Sequence, residues 1–310
     1  MNWLDYNTQV VAAATALLGA AAGLAGCLLL LRRRALMGDA LGHATLPGIA
    51  GAYLVSVALG GTGKEPWALL AGATVGALIG VVSVLAIRRG ARVSDETAMA
   101  IVLGSFFGVG TALLTVIQAT PGGHQAGLSS FILGHAASMV ASDLRAASIV
   151  AVICVALVVS LTKELRLLCF DTSFASSLGR PVRSLDALVL IIVTAVVVAG
   201  LQAVGLILIL ALLVLPATAA RLCTDRFSTM LPLAAIMGSV SGVGGTLVSS
   251  FAPRLPTGPC IVLVAALLFV LALIFAPRRG IIARTLASRT LASRTLASRT
   301  LAPRAPEPHS

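Results

Sequence analysis

The chain has 310 residues, of which 58% are hydrophobic and only 11% charged, whereas a soluble domain carries about 25% charged residues. That apolar surplus has no soluble core to fill, so composition excludes a soluble domain and predicts an all-α, polytopic transmembrane helical bundle. The net charge of +11 lies in short basic clusters between apolar runs, and aromatics are only 4%; this is the positive-inside pattern of membrane loops and argues against nucleic acid.

Taken in chain order, the N-terminus lacks a basic n-region, and its apolar run is too long for a signal peptide. Span one is expected from about residue 8 to 31 and stops at Arg32-Arg33-Arg34. That triplet places its far end in the cytoplasm and the N-terminus outside.

Span two opens with Gly38-Asp39-Ala40-Leu41-Gly42-His43-Ala44-Thr45-Leu46-Pro47-Gly48 and runs to about residue 59. Asp39 and His43, four residues apart, project from one face of a helix. A carboxylate and an imidazole together form half of a divalent metal site. Pro47 has no N–H to offer the His43 carbonyl, which leaves a polar oxygen beside the imidazole. An acid so close to the apolar interior is by default a functional hypothesis. The competing reading makes Asp39 a helix cap and lets His43 bond to a neighbouring helix.

Span three is expected over about 67–87, closed by Arg88, Arg89 and Arg92, and span four over about 97–118. Between spans two and three, Gly61-Thr62-Gly63-Lys64-Glu65 has the wrong spacing for a phosphate-binding loop and lacks its Ser or Thr. Glycines at four-residue spacing (Gly19/Gly23, Gly72/Gly76/Gly80, Gly104/Gly108, Gly238/Gly242) predict close helix packing. The loop after span four holds His124, and residues 131–140, with His135, are too short to span and are read as a re-entrant or interfacial helix.

Span five, about 146–161, leads to the longest polar stretch between spans. Within it, Phe170 to Ala175 reads as a short amphipathic helix capped by Asp171 or Thr172 and ended by Gly179-Arg180-Pro181. Such a helix is a docking surface for a partner or a plain surface loop. Residues 186–220 are long enough for two spans that turn at 200–205, followed by spans over about 229–251 and 258–275.

Nine spans, with one pair open to a miscount (8–9), put the N-terminus outside and the C-terminus in the cytoplasm. Of the 22 Lys and Arg, only Lys64, Arg145 and Arg254 then fall outside. The chain divides into a membrane domain, 1–280, and a tail, 281–310, whose Arg-Thr-Leu-Ala-Ser repeat forms no helical stripe and is expected to be disordered. The five cysteines are odd in number with no Cys-x-x-Cys pair, so they read as small buried apolar residues.

Five stretches together resemble the membrane permeases of ABC importers for zinc, manganese and iron. They are Ala35 to Ala40 with His43 to Gly48, Gln125 to Ala137, Phe170 to Pro181, Gly205 to Arg221 with its Leu215-Pro216-Ala217-Thr218-Ala219, and Pro256 to Arg279. His135 and the repeat tail depart from that family's pattern. The resemblance implies a multi-pass protein of the bacterial plasma (inner) membrane that pairs with a second copy or a sister permease. It implies a cytoplasmic ABC ATPase and an extracytoplasmic metal-binding protein as partners. It also implies that Asp39 and His43 bind the transported manganese, zinc or iron(II). Phe170, Asp171, Phe174, Ala175, Leu178 and Gly179 fall in the stretch that resembles the ATPase-coupling loop.

The expected activity is transport by alternating access. There is no permanently bound cofactor, and ATP hydrolysis is left to the partner because this chain has no Walker motif. Three rivals are an ABC permease for an organic metal chelate, a secondary metal carrier and a structural membrane protein with no transport role. Asp39 is the only clear acid within a span, which disfavours ion coupling, and a chelate would leave the Asp/His pair without a use.

Overall fold

The computed structural model describes residues 6–63, 65–119, 141–251, 255–277 and 280. The readings of His124, of His135 with its short helix, and of the repeat tail lie outside these residues. Eleven helices follow one another among the described residues: α1 (Tyr6–Leu31), α2 (Leu36–Ala58), α3 (Pro66–Gly90), α4 (Asp95–Ala119), α5 (Ala141–Ser160), α6 (Thr162–Phe170), α7 (Thr172–Ser177), α8 (Val182–Val204), α9 (Leu206–Cys223), α10 (Phe227–Phe251) and α11 (Thr257–Phe275). Eight are long and apolar enough to cross a membrane, and the bent pair α5–α6 makes up to a ninth.

The expected turn within 186–220 falls at Gly205, whose φ of +88° is freely available only to glycine. Gly200 of α8 meets the side chain of Ile209 on α9. Along one continuous helix these positions would stand about 13 Å apart, so the chain doubles back here.

Contacts between the ends show the alternation of the spans. Arg32 and Arg34 after α1, Arg88 at the end of α3, Asp95 at the start of α4 and Asp186 at the start of α8 meet in one ion-pair cluster. Phe170 of α6 packs edge-on against Phe227 at the start of α10, with ring centroids 6.3 Å apart. The ends predicted to share one side of the membrane therefore gather at one end of the bundle.

Without a hydrophobic driving force between helices in lipid, close backbone approach and interhelical hydroxyls hold such a bundle together. Gly19 and Gly23 of α1 lie against the backbone of Gly238 and Ala234 on α10, and Gly242 lies against Thr15. Thr15 and Thr246 share a hydroxyl hydrogen bond of 3.2 Å, and Ser239 donates to the Ala16 carbonyl at 3.0 Å. Gly48 of α2 interlocks with Gly72 and Gly76 of α3 in the same way. Gly104 and Gly108 depart from the expectation, because a Cβ there would meet nothing within 4 Å; they lie on the outward face of α4.

The α2–α3 contact sets the position of the Asp39/His43 helix and invites a test. Alanine at Gly48 would drive its Cβ into the Gly72 backbone, an overpacking expected to cost about 1–3 kcal/mol. Gly51→Ala, whose Cβ meets nothing within 4 Å, should be neutral or mildly stabilising. Thermal unfolding of the two purified variants checks this, and equal melting temperatures would remove the packing argument.

Candidate metal centre

α2 begins at Leu36, and its N-cap Ala35 makes no side-chain capping bond, while Asp39 sits in the first turn. The helix continues through Pro47, which leaves the His43 carbonyl without the usual N–H four residues on. Asp39 Oδ1 faces His43 Nε2 at 3.4 Å, with side chains 40% and 22% exposed. Two ligands about 2.1 Å from one cation, at a near-tetrahedral angle, sit about 3.4 Å apart. The pair is thus spaced to grip a divalent ion without repacking.

The capping alternative does not describe Asp39, whose carboxylate turns to the imidazole. The bonding of His43 to a neighbouring helix is not found either. Its Nδ1 is buried without a hydrogen-bond partner, and what it meets from α4 is the ring of Phe107, edge-on at 5.0 Å and 78°. A buried polar atom left unpaired is uncommon away from functional sites. Among the described residues no cluster of three or more His, Cys, Asp or Glu could hold a metal. All five cysteines are free thiols, and Cys27, Cys154 and Cys260 are buried, as expected of small apolar residues.

A groove of about 750 Å³ runs along α2 and α3, from Ser56, Leu59 and Glu65 at one end to Pro47 and Gly48 at the other. It ends one helical turn from His43.

The polar stretch around Phe170, in which a single helix is expected, folds as two helices. α6 escapes notice in the sequence because Lys163, Glu164 and Arg166 make it look like a loop. Leu165 and Leu168 are nonetheless fully buried, three residues apart on one face, and α6 turns away from α5 by 71°. α7 starts at Thr172, where the first of the two expected caps places it. Asp171 is its N-cap and accepts from the Phe174 N–H at 2.8 Å. Gly179, at φ +70°, ends it. The Gly179 N–H donates to the Ser176 carbonyl at 3.0 Å, and the Arg180 N–H donates to that of Ala175 at 3.1 Å, a Schellman closure. Ala175 is buried, whereas Phe170, Phe174 and Leu178 are more than half exposed.

The arginine triplet, read above as a topological signal only, ties these two regions together. Arg32 donates to the Leu168 carbonyl of α6 and to Asp186, both at 2.8 Å. Arg34 bridges Asp186 at 3.0 Å and Asp95 at 2.7 Å. Burial works against the Arg34 charge, but Asp186 and Asp95 overcome it and hold the guanidinium above its ordinary range. The signal available in the sequence was the lone acids Asp95 and Asp186, each at the basic end of a span. Phe107 left no such signal.

The sequence profile of the ABC 3 transport family matches residues 5–276. The manganese transport system membrane protein MntC of Bacillus subtilis (strain 168) is 42% identical over 287 residues, which cover 92% of this chain and 65% of that protein. The zinc transport system membrane protein TroC of Treponema pallidum (strain Nichols) is 41% identical over 278 residues, 90% of this chain and 92% of that one. The chain thus spans about two thirds of the first relative and nearly all of the second. Among solved structures, PsaBC from Streptococcus pneumoniae in complex with Fab superposes with a TM-score of 0.73 at 29% identity, covering 89% of this chain and 94% of that one.

Proposed function

The chain belongs to the ABC 3 transport family, and from that premise we propose that it is the permease of an ATP-driven importer of a divalent transition metal ion, manganese, zinc or iron. The observation that carries the reading is a carboxylate and an imidazole held 3.4 Å apart on a membrane-spanning helix, with the imidazole Nδ1 buried and unpaired. It is a multi-pass membrane protein and a transport subunit. The relatives' names favour a metal cargo over an organic chelate or a secondary carrier.

The working cycle we propose places the basic end of the bundle in the cytoplasm of a bacterial cell, as the arginine distribution favours. A binding protein delivers the ion outside, and the α2–α3 groove leads it inward to His43 and Asp39. Two protein ligands, completed by water or by a second permease, hold the ion weakly enough to release it. A partner ATPase engages α7, and its movement reaches the start of α2 through Arg32, Arg34 and Asp186.

Uptake of radioactive manganese and zinc by proteoliposomes holding this chain, its ATPase and its binding protein tests the assignment. ATP-dependent accumulation of one of the two is expected. If neither enters while ATP is hydrolysed, iron(II) is measured in the same way, and failure of all three puts the chelate reading in its place.

The docking role of α7 has its own test. Phe174 and Leu178, 52% and 57% exposed, stand four residues apart on one face. Burying each against a partner is worth about 1.5–3 kcal/mol. Phe174→Ala combined with Leu178→Ala should weaken ATPase co-purification at least about tenfold, with folded yield unchanged. Undiminished capture of the ATPase would remove the assignment.

A further inference from the structure

At the basic end of the bundle a cavity of about 600 Å³ opens between the α1–α2 turn, the end of α3, Thr172 at the start of α7 and the start of α8. Five arginines line it, Arg32, Arg34, Arg88, Arg89 and Arg183, and the lining holds a single carboxylate, Asp186. Asp186 and the adjacent Asp95 engage Arg32, Arg34 and Arg88 at 2.7–3.4 Å. Even with Asp95 counted, the cluster keeps an excess of three positive charges. Arg89 and Arg183 are exposed and have no hydrogen-bond or ion-pair partner among the described residues. Arg32 Nε is buried and also lacks one.

The cavity is not polar throughout. Leu85 lies one helical turn into the bundle from Arg88 and Arg89, Leu190 lies one turn in from Asp186, and both line it. The wall is therefore cationic toward the end of the bundle and apolar toward its interior. A guanidinium fork matches phosphate oxygens in two-point contact. An apolar floor next to such forks suits the glycerol and first methylenes of a lipid, and basic pockets between spans at the cytoplasmic side favour anionic headgroups. We propose that this cavity binds the phosphate headgroup of an anionic membrane phospholipid. The bound phosphate supplies the counter-charge that Arg89 and Arg183 lack, beside the contacts that join the coupling stretch to α2. The site rests on the inward orientation of this end, and labelling of a single introduced cysteine in the α3–α4 turn from either side of the membrane tests that orientation separately.

The decisive experiment uses the purified full-length chain in zwitterionic detergent, titrated with phosphatidylglycerol, phosphatidylcholine or inorganic phosphate. Retained lipid is followed by native mass spectrometry and the melting temperature by fluorescence. Phosphatidylglycerol is expected to stay bound and to raise the melting temperature, with phosphatidylcholine inert. The double variant Arg89→Ala, Arg183→Ala leaves every observed ion pair intact. It should weaken retention roughly tenfold or more, because each arginine near an anionic headgroup contributes about fivefold. Equal retention of both lipids, or unchanged retention in the double variant, would overturn the proposal. So would full stabilisation by inorganic phosphate with none added by lipid, which would assign the cavity to a free anion. Loss of the lipid whenever the ATPase is assembled would assign it to an acidic segment of that partner and likewise overturn it.

Discussion

Replacing Asp39 with alanine is expected to abolish metal uptake while the permease still folds and assembles. On the proposed function the residue would supply one of two ligands 3.4 Å apart, and it would also carry the charge that compensates the ion inside the span. Mutation of groups that merely support a metal ligand already costs about 10–100-fold, so loss of the ligand itself should lower uptake by more than about 100-fold. Folding should barely notice. The side chain is 40% exposed and makes no capping bond, so what is lost is the favourable placement of a negative charge in the first turn, about 0.3–1 kcal/mol, and the i,i+4 contact with His43, about 0.2–0.5 kcal/mol. Asp39→Asn separates the two contributions, since it keeps the shape and removes the charge. His43→Ala should match the transport loss and add about 0.5–1.5 kcal/mol of destabilisation through the lost Phe107 contact. The measurement is ATP-dependent uptake alongside thermal unfolding for all three variants. Wild-type uptake in Asp39→Ala would dismiss the site.

The second large effect concerns Arg34. Its side chain is only 10% exposed and bridges Asp186, which is 16% exposed, and Asp95. Removing one partner of a buried ion pair typically costs about 3–5 kcal/mol, because the remaining charge is left without compensation. Two circumstances moderate the loss: Arg32 still engages Asp186 at 2.8 Å, and Asp95 is 36% exposed, where such pairs contribute little. Arg34→Ala should therefore lose about 3 kcal/mol, the lower end of that range, and show a marked fall in folded yield. Arg34→Lys keeps the charge but not the fork that reaches two carboxylates at once. It should recover most of the folded protein while passing less of the ATPase movement on to α2. The readouts are the melting temperature and the number of metal ions carried per ATP hydrolysed. A lysine variant with wild-type coupling would leave Arg34 a purely structural role.

Phe107 shows where reading the sequence ends. Asp39 and His43 could be paired from their spacing alone, since an α-helix brings residues four apart onto one face. No spacing rule connects His43 with Phe107, which reaches it from another helix because Gly110 of α4 lets that helix lie against Leu46 and Pro47. The arginine triplet shows the same limit. Its charge marks the end of a span, but its carboxylate partners stand 61 to 154 positions away along the chain.

What the sequence determined by itself is the part governed by local chemistry and by the bilayer. Apolar length gave eight or nine spans, glycines placed a turn within residues 200–205 and the end of α7 at residues 179–181, and the choice of cap was narrowed to Asp171 or Thr172. Tertiary structure alone decided which glycines pack, because Gly104 and Gly108 share the spacing of Gly72 and Gly76 and meet nothing. It alone decided that the coupling stretch folds as two helices, because the burial of Leu165 and Leu168 outweighs the charges around them. It also joined that stretch to the start of α2 through Arg32, Arg34 and Asp186. The reason is physical: capping, turn geometry and insertion into lipid act over a few residues or along one helix, whereas an ion pair or a helix contact exists only once separate spans have met.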